Sequence, residues 1–170
     1  MGKFFLGITA VIILSCGAFF TMGGMANTST TVSPGLYWKV DKPLAIGKIV
    51  VFCPPNRPEF QEAKTNGKIQ TGSCPDGFAP IMLKVAAKYK NKVTINESGV
   101  YINDTLYPQS KPLLKDQEGR PMPFPNLVNY ELKEKDILLM SDASGEIFDG
   151  RYFGLIDADQ IDSVITRIFP

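Results

Sequence analysis

Pro80-Ile81-Met82-Leu83-Lys84-Val85-Ala86-Ala87 is a compact apolar run with one charge in its middle. Its length and branched content read as a central β-strand. The lysine has two readings. An edge-strand lysine points to water, whereas an amine buried among apolar neighbours loses its preference for the charged form and becomes a base.

Outward from this run the chain reads as further strands joined by long loops. Leu36-Tyr37-Trp38-Lys39-Val40 is a short strand. Gly47-Lys48-Ile49-Val50-Val51-Phe52, rich in β-branched residues and closed by Pro54-Pro55, is a stronger one. Residues 92–95 and 100–102 flank Asn96-Glu97-Ser98-Gly99, a hairpin signal. Residues 136–141 and 152–156 read as strands on either side of a Ser/Gly/Asp loop, and 162–169 alternates with period two as a closing strand. Residues 56–79, polar and broken by Gly and Pro, predict a loop with at most one helical turn near 60–64. Residues 107–129, with five prolines, predict an extended loop. The expected class is mainly β, with long loops.

Residues 4–25 are apolar or small, and no charge occurs between Lys3 and Lys39. About 20 such residues in a helix rise roughly 30 Å, the thickness of a bilayer core. The expectation is one N-terminal transmembrane helix: an anchor over 1–26 and a periplasmic domain over 27–170. Lys3 on the short leading end predicts N-in topology across the inner membrane. The run exceeds the usual ~7–15-residue signal core, which favours an uncleaved anchor. A cleaved signal peptide and a lipoprotein signal at Ile13-Leu14-Ser15-Cys16 stand as alternatives.

Eighteen Lys+Arg nearly cancel 17 Asp+Glu and offer no electrostatic case for nucleic acid binding, which would need a clustered basic face. Cys53 and Cys74 each precede a proline and are separated by a polar excursion. In an oxidising compartment they predict a disulfide closing a loop of about 20 residues; two buried free thiols are the other reading. No metal-ligand cluster, phosphate cradle or cofactor fingerprint stands out, so no cofactor is expected.

The chain contains no histidine, which removes Ser-His-Asp triads, Cys-His dyads and the usual zinc hydrolase sites. It does carry a hydroxyl-rich knot, Asn27-Thr28-Ser29-Thr30-Thr31-Val32-Ser33-Pro34-Gly35. A hydroxyl nucleophile needs a base, and Lys84 is the candidate.

In these segments the sequence resembles the S26 signal peptidases, of the TraF type, which process a pilin precursor in conjugative transfer. The pieces run in order: Gly35-Leu36-Tyr37-Trp38, Val51-Phe52-Cys53-Pro54-Pro55, Gly72-Ser73-Cys74-Pro75, the Lys84 strand, Gly119-Arg120-Pro121-Met122-Pro123, then Ser141-Asp142 and Phe148-Asp149-Gly150-Arg151-Tyr152-Phe153-Gly154. The resemblance implies a signal-peptidase-like β fold and a Ser/Lys-type dyad facing the periplasm, with a pilin or other exported precursor as partner. It places Lys84 as general base, and Asp149 with Arg151 as an ion pair holding the site, the aspartate also serving activity. The family motif Ser-Met-x-Pro, anchored on Pro34, puts Thr31 at the nucleophile position and Ser29 at the oxyanion-supporting hydroxyl. Anchored on the serine beside the proline, it makes Ser33 the nucleophile. The chain departs from the family at Ile147 and Gly150, where serine is usual, and at Asn91-Lys92, where Gly-Asp is usual. These departures leave open a weakened or inactive relative that acts as a binding component.

Overall fold

The computed structural model describes residues 2–143 and 146–168, with the side chains of 2–8 and 10–12 outside that description. A helix, α1 (Gly2–Thr21), leads into strand β1 (Gly24–Asn27), so the sheet takes up the last residues of the expected anchor segment. Among the described residues no helix is long and apolar enough to cross a membrane. The anchor expectation, Lys3 included, falls partly outside them.

Strands β2 (Gly35–Val40), β3 (Ile49–Phe52), β4 (Ile81–Ala87), β9 (Asp136–Met140), β10 (Leu155–Asp157) and β11 (Ile161–Arg167) join β1 in a seven-stranded sheet, ordered β1-β2-β11-β3-β4-β9-β10. β5 (Lys92–Asn96), β6 (Gly99–Ile102), β7 (Thr105–Leu106) and β8 (Leu127–Glu131) form a second sheet, ordered β7-β6-β5-β8. The paired strands run antiparallel. The mainly β expectation holds, and β4 is an interior strand as its composition requires.

Period two decides what β4 does with its lysine. Leu83 and Val85 are fully buried, in one core with Val50, Leu139 and Phe153. Met82 and Lys84 face the other way, where Met82 packs with Tyr37, Val51 and Ile165. Burying Leu83 and Val85 is worth roughly 1.5–3 kcal/mol each. A one-residue slip would turn both outward and drive Lys84 into that core, so the apolar face fixes the register. The sequence neighbours of Lys84 therefore do not surround its amine, which corrects the expectation of an apolar setting: its side chain is 32% exposed. Across the sheet it is registered with Ile49 on β3 and Met140 on β9.

Three local expectations change. Residues 56–79 hold a two-turn helix, α2 (Pro58–Thr65), where at most one turn was expected. Pro58 pre-sets its first turn, and Phe60 and Ala63, three apart, bury one face beneath a polar composition. The expected strand 152–156 splits into a short helix, α3 (Gly150–Phe153), and β10. Asp149 causes the split by capping α3, its carboxylate accepting the backbone N–H of Arg151. The end of the expected loop 107–129 is taken by β8. Phe169, expected in the last strand, lies outside the described residues.

Cys53 and Cys74 are bonded, with Cα atoms 5.5 Å apart, as expected for an oxidising compartment.

Candidate active site

The hydroxyl knot follows β1 directly, and Asn27 organises it. Its Nδ2 donates to the carbonyls of Ser29 (3.1 Å), Val32 (3.0 Å) and Ser33 (3.4 Å). Its Oδ1 accepts from the Ser29 backbone N–H at 3.1 Å and from the Ser29 hydroxyl at 2.7 Å. One buried amide thus replaces the ladder bonds that the loop lacks between β1 and β2. Ser29 Oγ and Thr31 Oγ1 are 2.8 Å apart. A hydroxyl has one proton, and that of Ser29 is committed to Asn27, so the Thr31 hydroxyl donates to Ser29. Tyr37 Oη donates to the Ser33 carbonyl at 2.6 Å, tying the loop to β2. Thr31 is half-buried and Ser33 exposed.

Lys84 faces the same loop. Thr31, Ser33 and Lys84 line one cleft of about 480 Å³, closed on its other sides by Pro34, Ile49 and Asp142. A second cavity of about 330 Å³ adjoins it, lined by Ser29, Thr31, Met82 and Phe148 among others. Thr31 belongs to both, whereas Ser33 opens only to the first. Lys84 Nζ is paired with the Asp142 carboxylate. The other Asp142 oxygen accepts from Tyr107 Oη at 2.8 Å. Burial, and secondarily the nearby Asp149 charge, push the Tyr107 phenol up, so it stays protonated and able to donate at neutral pH.

Asp149 and Arg151 sit behind the cleft, 0% and 1% exposed. Arg151 donates Nε to Asp149 Oδ1 at 2.8 Å and Nη2 to Oδ2 at 2.9 Å, and its Nη1 reaches the Gln109 carbonyl at 2.8 Å. Burial raises the Asp149 carboxyl against the pull of Arg151 and two backbone N–H groups. Asp149 is not among the cleft-lining residues and reaches the loop through Ser141. The Ser141 backbone N–H donates to Asp149 at 2.9 Å, while its hydroxyl donates to the Thr31 carbonyl at 2.6 Å. Ser141 thus links the buried Asp149–Arg151 pair to the Thr31 loop.

The departures from the expected family residues have physical counterparts. Ile147 is a buried apolar side chain. A Cβ at Gly150 would stand 2.5 Å from the Leu139 carbonyl oxygen, so serine does not fit there without moving β9. Sequence reasoning gave no role to Asp142, Tyr107 or Ser141. For Asp142, its place beside Ser141 in a quoted segment was the only available signal.

An antiparallel β-domain that brings a hydroxyl loop and a strand lysine to one cleft, with no histidine in the chain, fits the serine class of peptidases. The family model described as signal peptidase, peptidase S26, matches residues 1–169, and the chain belongs to that family. It is 38% identical over 167 residues to a plasmid transfer protein TraF of Escherichia coli, covering 98% of this chain and 93% of the relative. A second Escherichia coli protein of that name is 40% identical over 156 residues, covering 92% and 88%. A solved signal peptidase I from Enterococcus faecalis aligns with 74% of this chain and 98% of its own, at 16% identity and a TM-score of 0.42.

Proposed function

We propose that this chain is a membrane-anchored endopeptidase that cuts a pilin or another exported precursor in conjugative transfer. Thr31 is the nucleophile and Lys84 the general base. The observation that carries this reading is the single cleft lined by the Thr31 loop and Lys84. The shared names of the Escherichia coli relatives motivate the conjugative setting. The Cys53–Cys74 bond favours an oxidising compartment such as the periplasm, and the uncharged apolar run of residues 4–25 favours an inner-membrane anchor.

The chemistry is acyl transfer. Thr31 Oγ1 attacks the scissile carbonyl, and its proton passes to Lys84 in the amine form. As Thr31 Oγ1 attacks it gives up its bond to Ser29, and the Ser29 hydroxyl turns from Asn27 to donate to the oxyanion alongside the backbone N–H of Thr31. Losing one such donor typically costs ~10²–10³ in rate. The leaving amine takes the proton from Lys84, and water resolves the ester. An amine of the same precursor can take the place of water and give a cyclic product, lighter by one water.

The test is processing of a co-expressed pilin precursor by the full chain, read by mass spectrometry. K84A and T31A abolish cleavage on this reading, while S33A retains it. Full cleavage by folded K84A defeats the mechanism.

A second reading draws on the Lys84–Asp142 pair, the Thr31 hydroxyl turned to Ser29, and the apolar Ile147. On that reading the domain is a weakened or inactive relative that binds a transfer component. T31A, S33A and K84A would then all leave conjugation unchanged.

A further inference from the structure

We propose that Asp142, braced by Tyr107, is the positioning residue for Lys84: it fixes the amine toward the cleft and faces the positive charge that the amine gains during catalysis. The proposal rests on the peptidase reading above and adds a third member to its dyad. A base that works by proton transfer is commonly oriented by a further group, and a fixed carboxylate beside a base stabilises the cation formed when it takes a proton.

The geometry supplies those parts. Asp142 Oδ2 accepts from Lys84 Nζ, and Oδ1 accepts from Tyr107 Oη at 2.8 Å. Both carboxylate oxygens are engaged, so the group cannot rotate without breaking a bond. Tyr107 lies ahead of the turn where Ser110 Oγ accepts the Val100 N–H at 2.9 Å and donates to the Tyr107 carbonyl at 2.6 Å, which anchors the phenol to the second sheet. In the proton-transfer step the hydroxyl O–H bond breaks as O–C forms, and the proton moves to uncharged Nζ. The resulting ammonium faces Asp142 until the C–N bond breaks and the leaving amine takes that proton.

The experiment uses the full chain in detergent micelles and the same pilin precursor, purified, with cleavage rates followed by mass spectrometry. D142A is expected to lower kcat roughly 10²-fold, in the range of a lost positioned acid–base contact, with KM within about threefold. Added formate restores part of that loss, whereas D142N, which keeps an acceptor, retains more activity than D142A. Y107F lowers kcat about fivefold alone and adds nothing in the D142A background, a non-additivity typical of one network. Wild-type kcat in D142A, increased kcat in D142A, or a loss that neither formate nor D142N relieves in a protein with native Trp38 fluorescence overturns the proposal. Full activity in K84A would instead sink the peptidase reading itself.

Discussion

Removing Asp149 alone should cost more than removing both halves of the Asp149–Arg151 pair. In D149A, Arg151 stays buried with only the Gln109 carbonyl as acceptor, and breaking such a pair costs about 3–5 kcal/mol. The same substitution removes the α3 cap, worth about 1 kcal/mol. The sum, about 4–6 kcal/mol, is a large share of the 5–15 kcal/mol typical of a domain. R151M should cost less, about 3 kcal/mol. The raised Asp149 carboxyl neutralises more readily, and it keeps the Ser141 and Arg151 backbone donors. D149A/R151M removes both charges and should be at least 1 kcal/mol more stable than D149A. The assay is urea unfolding of the full chain, followed through Trp38, the only tryptophan. With an m-value of about 1–3 kcal/mol/M, D149A should lower the midpoint by roughly 1.3 M or more. A D149A midpoint equal to that of the parent, or a double variant as damaged as the sum of the singles, would refute the reasoning.

Two further outcomes follow from the loops. Replacing Cys53 and Cys74 with alanine frees a 21-residue separation and should cost about 3 kcal/mol, measured on the same urea curve. In Asp116, burial works to raise the carboxyl, yet hydrogen bonds from Arg120 and Lys68 hold it at about 2. Its folded value lies below the unfolded one, so its contribution is present above about pH 4 and lost as pH falls toward 2. D116N should remove that part of the acid transition in Trp38 fluorescence; an unchanged acid transition would show that the network contributes nothing.

How much was legible depended on periodicity. β3, β4 and the β5–β6 hairpin were readable because period-two or continuous apolar runs and a turn signal agree there. α2 was not, since only Phe60 and Ala63 mark its buried face among eight residues. α3 was hidden because Tyr152 and Phe153 read as strand formers, and the capping carboxylate that overrides them, Asp149, reads from sequence only as a loop charge. At the site, the Thr31 loop and Lys84 could be chosen from chemistry, since no histidine was available. The partners of Lys84 were out of reach. Asp142 is 58 residues away and is brought to Lys84 by the pairing of β4 with β9, while Tyr107 comes from a proline-rich loop that follows the second sheet's β7.

The choice between Thr31 and Ser33 can be settled by a substitution that changes the nucleophile without deleting it. Thr31 opens to both cavities, its carbonyl is held by Ser141 and its hydroxyl by Ser29. Ser33 is held only through its carbonyl, by Tyr37 and Asn27, and its side chain is exposed. T31S keeps the hydroxyl and removes one half-buried methyl, worth at most about 0.8 kcal/mol. It also frees χ1, which the β-branched threonine restricts, so the hydroxyl can swing from Ser29 toward Lys84 with less hindrance. T31S should therefore cleave at least as fast as the parent while T31A is inactive, both followed by precursor mass. If T31A cleaves normally and S33A does not, the register anchored on Pro34 is wrong. The bonds around Thr31 would then serve only to shape the loop that presents Ser33.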